Sequence, residues 1–229
     1  MITIENLVVS YNKGEHIIDS LNLEIFDKTI NGIVGLNGSG KTTLLNSIYG
    51  LKNIDTGYIK FNGRKINKKE MSFLVTEHYF YSNITGREYL SLFKNPIYDS
   101  DKWNKLFFLP LDTIVDDYSS GMKKKLALMG ILKQDKPIVI LDEPFNGLDI
   151  EACRIVRQIL MKLKEKGKTI IITSHIIETL TNLCDCIHYL EKGRIKYSKG
   201  KADFKAFEQE LFASIEHKNE ELIVELITH

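Results

Sequence analysis

One segment decides the fold of this chain: Gly35-Leu36-Asn37-Gly38-Ser39-Gly40-Lys41-Thr42-Thr43. It fits the pattern G-x-x-x-x-G-K-[ST], and it lies between an apolar run at 29–34, predicted to be a strand, and a helix predicted to begin near Lys41. Glycines let successive backbone N–H groups turn inward around phosphate oxygens, and the start of the helix adds the positive end of its dipole. We therefore expect this phosphate loop, residues 35–43, to hold a nucleotide.

Two side chains of the phosphate loop have separate expected tasks. Lys41 reaches the β and γ phosphates of the nucleotide, and the Thr42 hydroxyl can ligate Mg²⁺. The other loop residues that we predict to bind the nucleotide are Asn37, Gly38, Ser39, Gly40 and Thr43.

Two carboxylates follow a second apolar run, at 138–141. Because open α/β sheets bind ligands at the carboxyl ends of their strands, Asp142 is a candidate Mg²⁺ ligand and Glu143 a candidate general base for an attacking water. Loop and carboxylates together predict nucleotide hydrolysis or transfer. A GTPase would need an Asn-Lys-x-Asp element after a later strand, and the nearest match, at 67–70, departs from that pattern and lies too early.

Composition narrows the class of protein. The chain has 229 residues, of which 43% are hydrophobic, and 31 basic residues stand against 30 acidic ones. These values predict a soluble globular chain and exclude a collagen-like, disordered or disulfide-scaffold protein. The balanced charge argues against nucleic acid as a partner. No apolar run approaches the roughly 18 to 20 residues of a spanning helix, and the N-terminus lacks a secretory signal, so a cytosolic location is the default.

Three cysteines are too few and too irregular for a disulfide framework in a chain of this length. If 184–190 forms a strand, Cys184, Cys186 and His188 share one face of it. Such a face could be half of a metal site or an ordinary buried surface.

Strands that alternate with helices predict a parallel sheet covered on both faces. Strands are expected at 2–9, 21–25, 29–34, 72–75, 138–141, 169–173 and 186–190, with a hairpin at 57–63. Helices are expected from 41 onward and at 86–94, 102–108, 122–133, 149–166 and 176–183. From Asp203 onward, apolar residues near helical spacing predict a docked amphipathic helix: Phe204, Phe207, Leu211, Phe212 and Ile215.

An ordered series of further motifs points to a family. The segment Tyr118-Ser119-Ser120-Gly121-Met122, here called the signature segment, opens a basic helix ahead of Asp142-Glu143-Pro144. Asn146-Gly147-Leu148-Asp149 and Ser174-His175 follow. With the phosphate loop first, this series over about residues 1–200 resembles the ATP-binding subunit, or nucleotide-binding domain, of an export-type ABC transporter.

The resemblance implies a fold. It is an α/β P-loop NTPase core with a parallel sheet, an N-terminal antiparallel β subdomain and an inserted α-helical subdomain. On this sequence we expect a single domain, 1–229, with the α/β core at 1–76 and 135–200, the helical subdomain at 77–134 and a C-terminal helical tail at 201–229.

The same resemblance assigns roles to four single residues. Tyr11 matches the aromatic residue that stacks on adenine, and Glu143 matches the catalytic glutamate. Asp149 matches the aspartate that couples the two sites of a dimer, and His175 matches the switch histidine that senses the γ-phosphate. The expected cofactors are ATP and Mg²⁺, and Lys41 joins Glu143 and His175 as a catalytic residue.

In the family, two subunits face each other head to tail. Ser119 and Gly121 of one chain then close over the ATP held by Lys41 of the other. The residue chemistry agrees, because a Ser-Ser-Gly cap followed by lysines at 123–125 predicts an electropositive helix start suited to a phosphate. Taken alone, the same segment could be an ordinary capped surface helix with solvated lysines.

Two positions depart from the family pattern. The signature commonly has Leu-Ser-Gly-Gly-Gln, and here Tyr118, Ser120 and Met122 replace three of the five residues. The glutamine that usually follows the strand near residue 75 is also missing. Either Thr76 or Glu77 could take its place near Mg²⁺ or water.

The family likeness also implies partners. We expect a separate transmembrane permease, a homodimer or a heterodimer with a related ATPase, and a cytoplasmic, peripheral location on the inner face of the cell membrane. Likeness to small export subunits suggests a drug, a peptide or a bacteriocin as the exported substrate. The alternatives are a soluble ABC-type ATPase and an ATP-dependent regulatory switch, the latter motivated by the two departures.

Aromatic residues crowd the predicted helical subdomain. Part of the cluster must form the core of the subdomain, but in the family this region faces the membrane subunit, and 78–81 lies where a coupling helix docks. Burial of all ten would exclude that docking. They are Phe73, Tyr79, Phe80, Tyr81, Tyr89, Phe93, Tyr98, Trp103, Phe107 and Phe108.

Overall fold

The computed structural model describes residues 1–11, 14–212 and 226–227. The strands are β1 (Ile2–Ser10), β2 (His16–Ile25), β3 (Ile30–Val34), β4 (Thr56–Phe61), β5 (Arg64–Lys65), β6 (Met71–Leu74), β7 (Ile138–Leu141), β8 (Thr169–Ser174), β9 (Cys186–Glu191) and β10 (Arg194–Gly200). The helices are α1 (Lys41–Tyr49), α2 (Gly86–Ser91), α3 (Ser100–Phe107), α4 (Ser120–Gln134), α5 (Ile150–Glu165) and α6 (Ile177–Thr181). Residues 204–212 are helical as well.

The central sheet has the order β10-β9-β3-β8-β7-β6. All its pairings are parallel except that of β9 with β10. Strands β3, β7 and β8 are buried along their whole length, because both faces of the sheet are covered. Along β7, Val139 and Leu141 join a core shared with α4, α5 and α6, whereas Ile138 and Ile140 join a core shared with α1 and β1. The predicted parallel sheet is confirmed.

The second sheet is antiparallel, with the order β2-β1-β4-β5. Its buried residues alternate with exposed ones along β2, so one face packs on the core and the other faces solvent. This sheet and the central one give the α/β P-loop NTPase fold that was expected. The division into a core, a helical subdomain and a tail stays a prediction.

Several predicted boundaries were wrong. Strand β2 begins at His16, well before the predicted 21–25. The early start was not predicted because the first residues of the strand do not alternate between apolar and polar side chains. The helix expected at 86–94 ends at Ser91, where Leu92 and Phe93 continue in a tighter turn ahead of Pro96. Strand β10 was not predicted, because it lies at the sheet edge and most of its side chains are exposed.

The predicted C-terminal helix packs on the end of the central sheet. Phe204, Phe207 and Leu211 are buried, and the Phe207 ring lies 6.2 Å from the ring of Tyr189. Phe212 is partly exposed. Ile215, the last residue of the predicted apolar face, lies outside the described residues.

The cysteine and histidine face has no metal-site geometry. Strand β9 begins at Cys186, as predicted, so Cys184 precedes it and the condition that 184–190 forms one strand is not met. His188 Nδ1 instead lies 2.8 Å from Ser198 Oγ on β10. Within the described ranges, no group of three or more His, Cys, Asp or Glu side chains could hold a metal ion.

In the part of the chain that the structure describes, no helix is both long and apolar enough to cross a membrane.

Candidate functional site

A cavity of about 510 Å³ opens at the carboxyl ends of the central strands. We call it the nucleotide cavity. It brings together most of the residues predicted to bind or process a nucleotide, although they come from both ends of the sequence. Its lining residues are Tyr11, Ile17, Asn37, Gly38, Gly40, Lys41, Thr42, Thr43, Thr76, Glu143, Asn146 and His175.

The phosphate loop has the backbone geometry of an anion cradle. Gly38 and Gly40 have φ values of +78° and +106°, which side chains rarely tolerate, so these positions favour glycine. Gly40 also precedes the first turn of α1. Ser39, by contrast, is buried and is not one of the described residues that line the cavity.

Lys41 is folded back over the phosphate loop. Its Nζ donates to the carbonyl oxygen of Gly35 at 2.7 Å and to that of Leu36 at 3.2 Å. Burial lowers the pKa of Lys41, and the nearby carboxylates of Glu143 and Asp142 oppose that shift. The ammonium group is therefore held at the cavity wall by carbonyl oxygens and lies within the electrostatic reach of both predicted catalytic carboxylates.

Three threonine hydroxyls converge on the buried carboxylate of Asp142. Thr42 and Thr76 donate to its Oδ2 at 2.8 and 2.7 Å, and Thr173 donates to its Oδ1 at 2.5 Å. Mg²⁺ prefers oxygen ligands and commonly uses one or two carboxylates together with phosphate oxygens and water. The carboxylate and hydroxyl oxygens gathered at Asp142 are ligands that fit this ion.

The question left open between Thr76 and Glu77 has a geometric answer. Thr76 lines the cavity and donates to Asp142, whereas Glu77 is exposed and is not one of the described residues that line the cavity. A threonine hydroxyl therefore occupies the position beside the candidate metal ligand.

Glu143 faces the cavity from a strained turn. Its φ is +47°, in the left-handed region that non-glycine residues seldom adopt. Its Oε1 lies 3.1 Å from Nδ1 of His175, which brings together the two residues predicted to act on the γ-phosphate end of the nucleotide. Its backbone N–H donates to Thr173 Oγ1 at 3.0 Å, and its carbonyl accepts from Lys124 Nζ at 2.8 Å.

Tyr11 lies at the cavity mouth with 58% of its surface exposed. The ammonium group of Lys52 lies 3.9 Å from the centroid of its ring, a cation–π contact. Tyr11 is one of the described residues that line the cavity, and Lys52 is not.

The signature segment lies away from this cavity. Ser119 caps α4, its Oγ accepting from the Met122 N–H at 3.2 Å, and a Cβ added to Gly121 would lie 2.9 Å from the Gly147 carbonyl oxygen. Tyr118 is buried, with its hydroxyl donating to Pro110 O at 2.6 Å, so this departure from the family pattern is absorbed inside the helical segment.

The three lysines after the signature segment point in three different directions, and the electropositive helix start stays a prediction. Lys123 donates to the Asp116 carbonyl, and Lys125 forms an ion pair with Asp149 at 2.8 Å. Lys124 turns inward to Glu143. The lysines diverge because successive residues of a helix point in different directions.

Two contacts in this site were missed by sequence analysis: those of Thr173 and Lys124. A polar residue at the carboxyl end of an otherwise apolar strand could have indicated Thr173. Nothing in the sequence distinguishes Lys124 from the lysines on either side of it.

Comparison with known proteins decides the family. The family model described as ABC transporter matches residues 18–146, which is more than half of the chain. The chain belongs to the ABC transporter family. As an ATP-binding subunit of that family, it binds ATP and is an ATPase.

Curated relatives match most of this ABC subunit. An uncharacterized ABC transporter ATP-binding protein of Methanocaldococcus jannaschii is 34% identical over 86% of this chain and 77% of its own length. The lantibiotic transport ATP-binding protein SrtF of Streptococcus pyogenes is 30% identical over 87% of this chain and 90% of its own length.

A solved structure has the same fold. It is a dimeric, post-hydrolysis state of an ATP-binding cassette bound to ADP and Pi, with a TM-score of 0.78 and 22% identity. The likeness covers 88% of this chain and 99% of the other.

The ABC subunit exposes aromatic side chains in the part of the chain between β6 and α4. Tyr79, Tyr81 and Phe108 are 88%, 70% and 79% exposed, whereas Phe107 is buried. The condition that would have excluded docking to a membrane subunit is therefore not met.

Proposed function

We propose that this ABC ATPase is the motor subunit of an export-type transporter. It binds Mg-ATP at a head-to-tail dimer interface and drives export through a separate transmembrane permease. The observation that carries the proposal is the nucleotide cavity, in which Lys41, the Asp142 hydroxyl cluster and the Glu143–His175 pair meet.

Each group in the cavity has a task in hydrolysis. Bound ATP would supply the γ-phosphoryl group, and bound Mg²⁺ would supply positive charge that stabilises the phosphate oxygens. Lys41 and the backbone N–H groups of the phosphate loop bind the phosphates, while Thr42, Asp142 and Thr76 are the residues that would hold the metal. Glu143 accepts a proton from the attacking water.

The remaining site residues act on the nucleotide and between the two subunits. His175 orients the carboxylate of Glu143 and senses the γ-phosphate. Tyr11 stacks on adenine. Ser119 and Gly121 of one subunit close over ATP held by the other, and Asp149 couples the two sites. The exposure of Ser119 and Asp149 supports contacts with a second chain.

Export of a peptide-like substrate is supported by the likeness to SrtF, whose name describes lantibiotic transport. Drugs and bacteriocins belong to the same proposal. The subunit lies at the cytoplasmic face of the membrane, bound to its permease, as a homodimer or a heterodimer with a related ATPase. Exposed apolar side chains support docking of a permease helix: Tyr79, Tyr81, Leu92, Ile97 and Phe108.

The variant Glu143→Gln tests the chemistry. We expect it to bind Mg-ATP, to hydrolyse it at least roughly a hundredfold more slowly than the wild type, and to elute as a nucleotide-dependent dimer, because the amide cannot accept the proton. Glu165→Gln, an exposed substitution paired with Lys162 on α5, is the matched control and should hydrolyse normally. Normal turnover by Glu143→Gln would remove Glu143 from the mechanism. A wild type that binds ATP but does not hydrolyse it, even with its partner, would favour the regulatory switch.

The partner is tested separately. Tagged protein purified from gently solubilised native membranes should bring down a polytopic membrane protein in stoichiometric amount, as mass spectrometry would show. Recovery only from the soluble fraction, with ribosomes, nucleic acid or nothing, would contradict transport.

A further inference from the structure

We infer that Lys124 is a positioning residue for Glu143, and that it links the helix opened by the signature segment to the backbone of the residue whose carboxylate activates water. This inference rests on the proposed function, because it assumes that Glu143 is the general base. It concerns a contact inside one subunit, between α4 and the turn after β7.

The backbone of Glu143 needs support from its surroundings. A non-glycine residue at φ +47° persists only where neighbouring groups hold it in place. Here the support comes from both sides of the residue. Its N–H donates to Thr173 Oγ1 on β8, and its carbonyl accepts from Lys124 Nζ on α4. The direction of the carboxylate toward His175 follows from this fixed backbone.

Lys124 is an unusual lysine. Only 5% of it is exposed, although lysines are almost never fully buried without a partner. Within the described ranges, its Nζ has one hydrogen-bond partner, the Glu143 carbonyl. Burial lowers its pKa, and the nearby carboxylates of Glu143 and Asp142 oppose that effect. A lysine whose only role was to keep the surface of the helix soluble would extend into water, as long charged side chains usually do.

The start of α4 is fixed against the same turn by a second contact. Gly121 lies so close to Gly147 that an added Cβ would meet the Gly147 carbonyl oxygen at 2.9 Å. Because α4 is a continuous helix from Ser120 to Gln134, a shift of its first turn also displaces Lys124. A nucleotide that contacts Ser119 and Gly121 from the other subunit therefore acts on the geometry of Glu143 in this one.

The main test removes the donor and keeps the bulk. We expect Lys124→Met to lower kcat by roughly tenfold or more, the effect of one charge-assisted hydrogen bond, while ATP affinity and KM change by less than about twofold. Lys124→Arg, which keeps a charged donor, should recover part of the lost kcat. Lys133→Met, the same substitution near the other end of α4, should leave kcat unchanged.

A double-mutant cycle separates positioning from a general structural effect. If Lys124 acts through Glu143, Lys124→Met should have no further effect on the residual turnover of Glu143→Gln. Additive losses in the double variant would overturn the inference. So would a wild-type kcat in Lys124→Met, or a loss confined to ATP binding.

Urea unfolding of each variant is the control that shows whether it folds. If Lys124→Met does not fold, Lys124→Leu, which also lacks a donor, decides the same question: a lowered kcat with unchanged ATP affinity is expected, and a wild-type kcat would overturn the inference. The two proposals fail differently. Full activity in Glu143→Gln would remove Glu143 from the proposed mechanism, whereas an inactive Glu143→Gln with a fully active Lys124→Met would refute only the role of Lys124.

Discussion

Tyr11 and Lys52 show how one contact can prepare a binding surface. The ammonium group of Lys52 lies 3.9 Å from the centroid of the Tyr11 ring, and such a contact at an exposed site is worth about 0.5–1 kcal/mol. It holds an otherwise exposed ring at the mouth of the nucleotide cavity. The ring is therefore oriented before the base arrives.

We expect Tyr11→Ala to weaken ATP binding by roughly tenfold to a hundredfold, because stacking of a base on an aromatic ring contributes about 1–3 kcal/mol. Tyr11→Phe keeps the ring and should bind ATP almost as the wild type does. Equilibrium titration with ATP and with inorganic triphosphate distinguishes the cause, since only ATP has a base. Equal losses for both ligands would show that Tyr11 does not stack on adenine.

Residue chemistry made part of the site predictable. Lys41, Thr42 and Asp142 belong to patterns in which the residue type is set by the phosphate or the metal, so the sequence alone indicated them. Thr173 and Lys124 belong to no such pattern. Their importance comes from where the side chain points, which depends on packing between β8, β7 and α4.

At the scale of elements, α5 is preceded by Asp149, whose two carboxylate oxygens make contacts of different kinds. Asp149 Oδ1 accepts from the Ala152 N–H at 2.7 Å, which caps the helix, and Oδ2 pairs with Lys125 at 2.8 Å. The cap is local to α5, whereas the ion pair links α5 to α4. One side chain thus stabilises a helix and joins it to the helix that follows the signature segment.

Two substitutions at Asp149 should separate these contributions. Asp149→Ala removes the cap and should lower the free energy of unfolding by about 1 kcal/mol, whereas Asp149→Asn keeps a capping oxygen and should lower it by only a few tenths. Urea unfolding measures both. Equal losses in the two variants would place the stability in the ion pair with Lys125 instead of the cap.

Strands and helices were predictable where burial requires apolar residues in the sequence. Strands β3, β7 and β8 are buried on both faces, and β7 and the middle of β8 appear as continuous apolar runs. Strand β10 pairs with β9 through its backbone while most of its side chains face solvent, so nothing in its residue types required a strand. The early start of β2 was missed for a similar reason, because its register is set by pairing with β1.

For the molecule as a whole, buried histidines link stability to pH. Burial lowers the pKa of His188 to about 4, and burial together with Lys124 lowers that of His78 to about 4. An unfolded histidine has a pKa of about 6.5, so the unfolded chain binds protons more readily. The stabilisation is therefore complete above about pH 6.5 and is lost as the pH falls toward about 4.

His188 is the better buried of the two and offers the cleaner test. We expect the wild type to lose about 3 kcal/mol more than His188→Asn between about pH 7 and pH 4, since each pKa unit corresponds to about 1.4 kcal/mol. Asparagine can still bond to Ser198, the present partner of His188. Urea unfolding across that range measures the difference, and parallel pH profiles would contradict the burial argument.

The position of β3 has a consequence for synthesis of the chain. Its two neighbours in the sheet, β8 and β9, are both encoded far downstream, although β3 leads directly into the phosphate loop. A nascent chain on the ribosome therefore exposes this strand, which is fully buried in the folded protein, until translation has passed Ser174. A polypeptide that ends before β7 cannot complete the sheet or assemble the cavity. Only a chain translated beyond His175 contains all the described residues that line the nucleotide cavity.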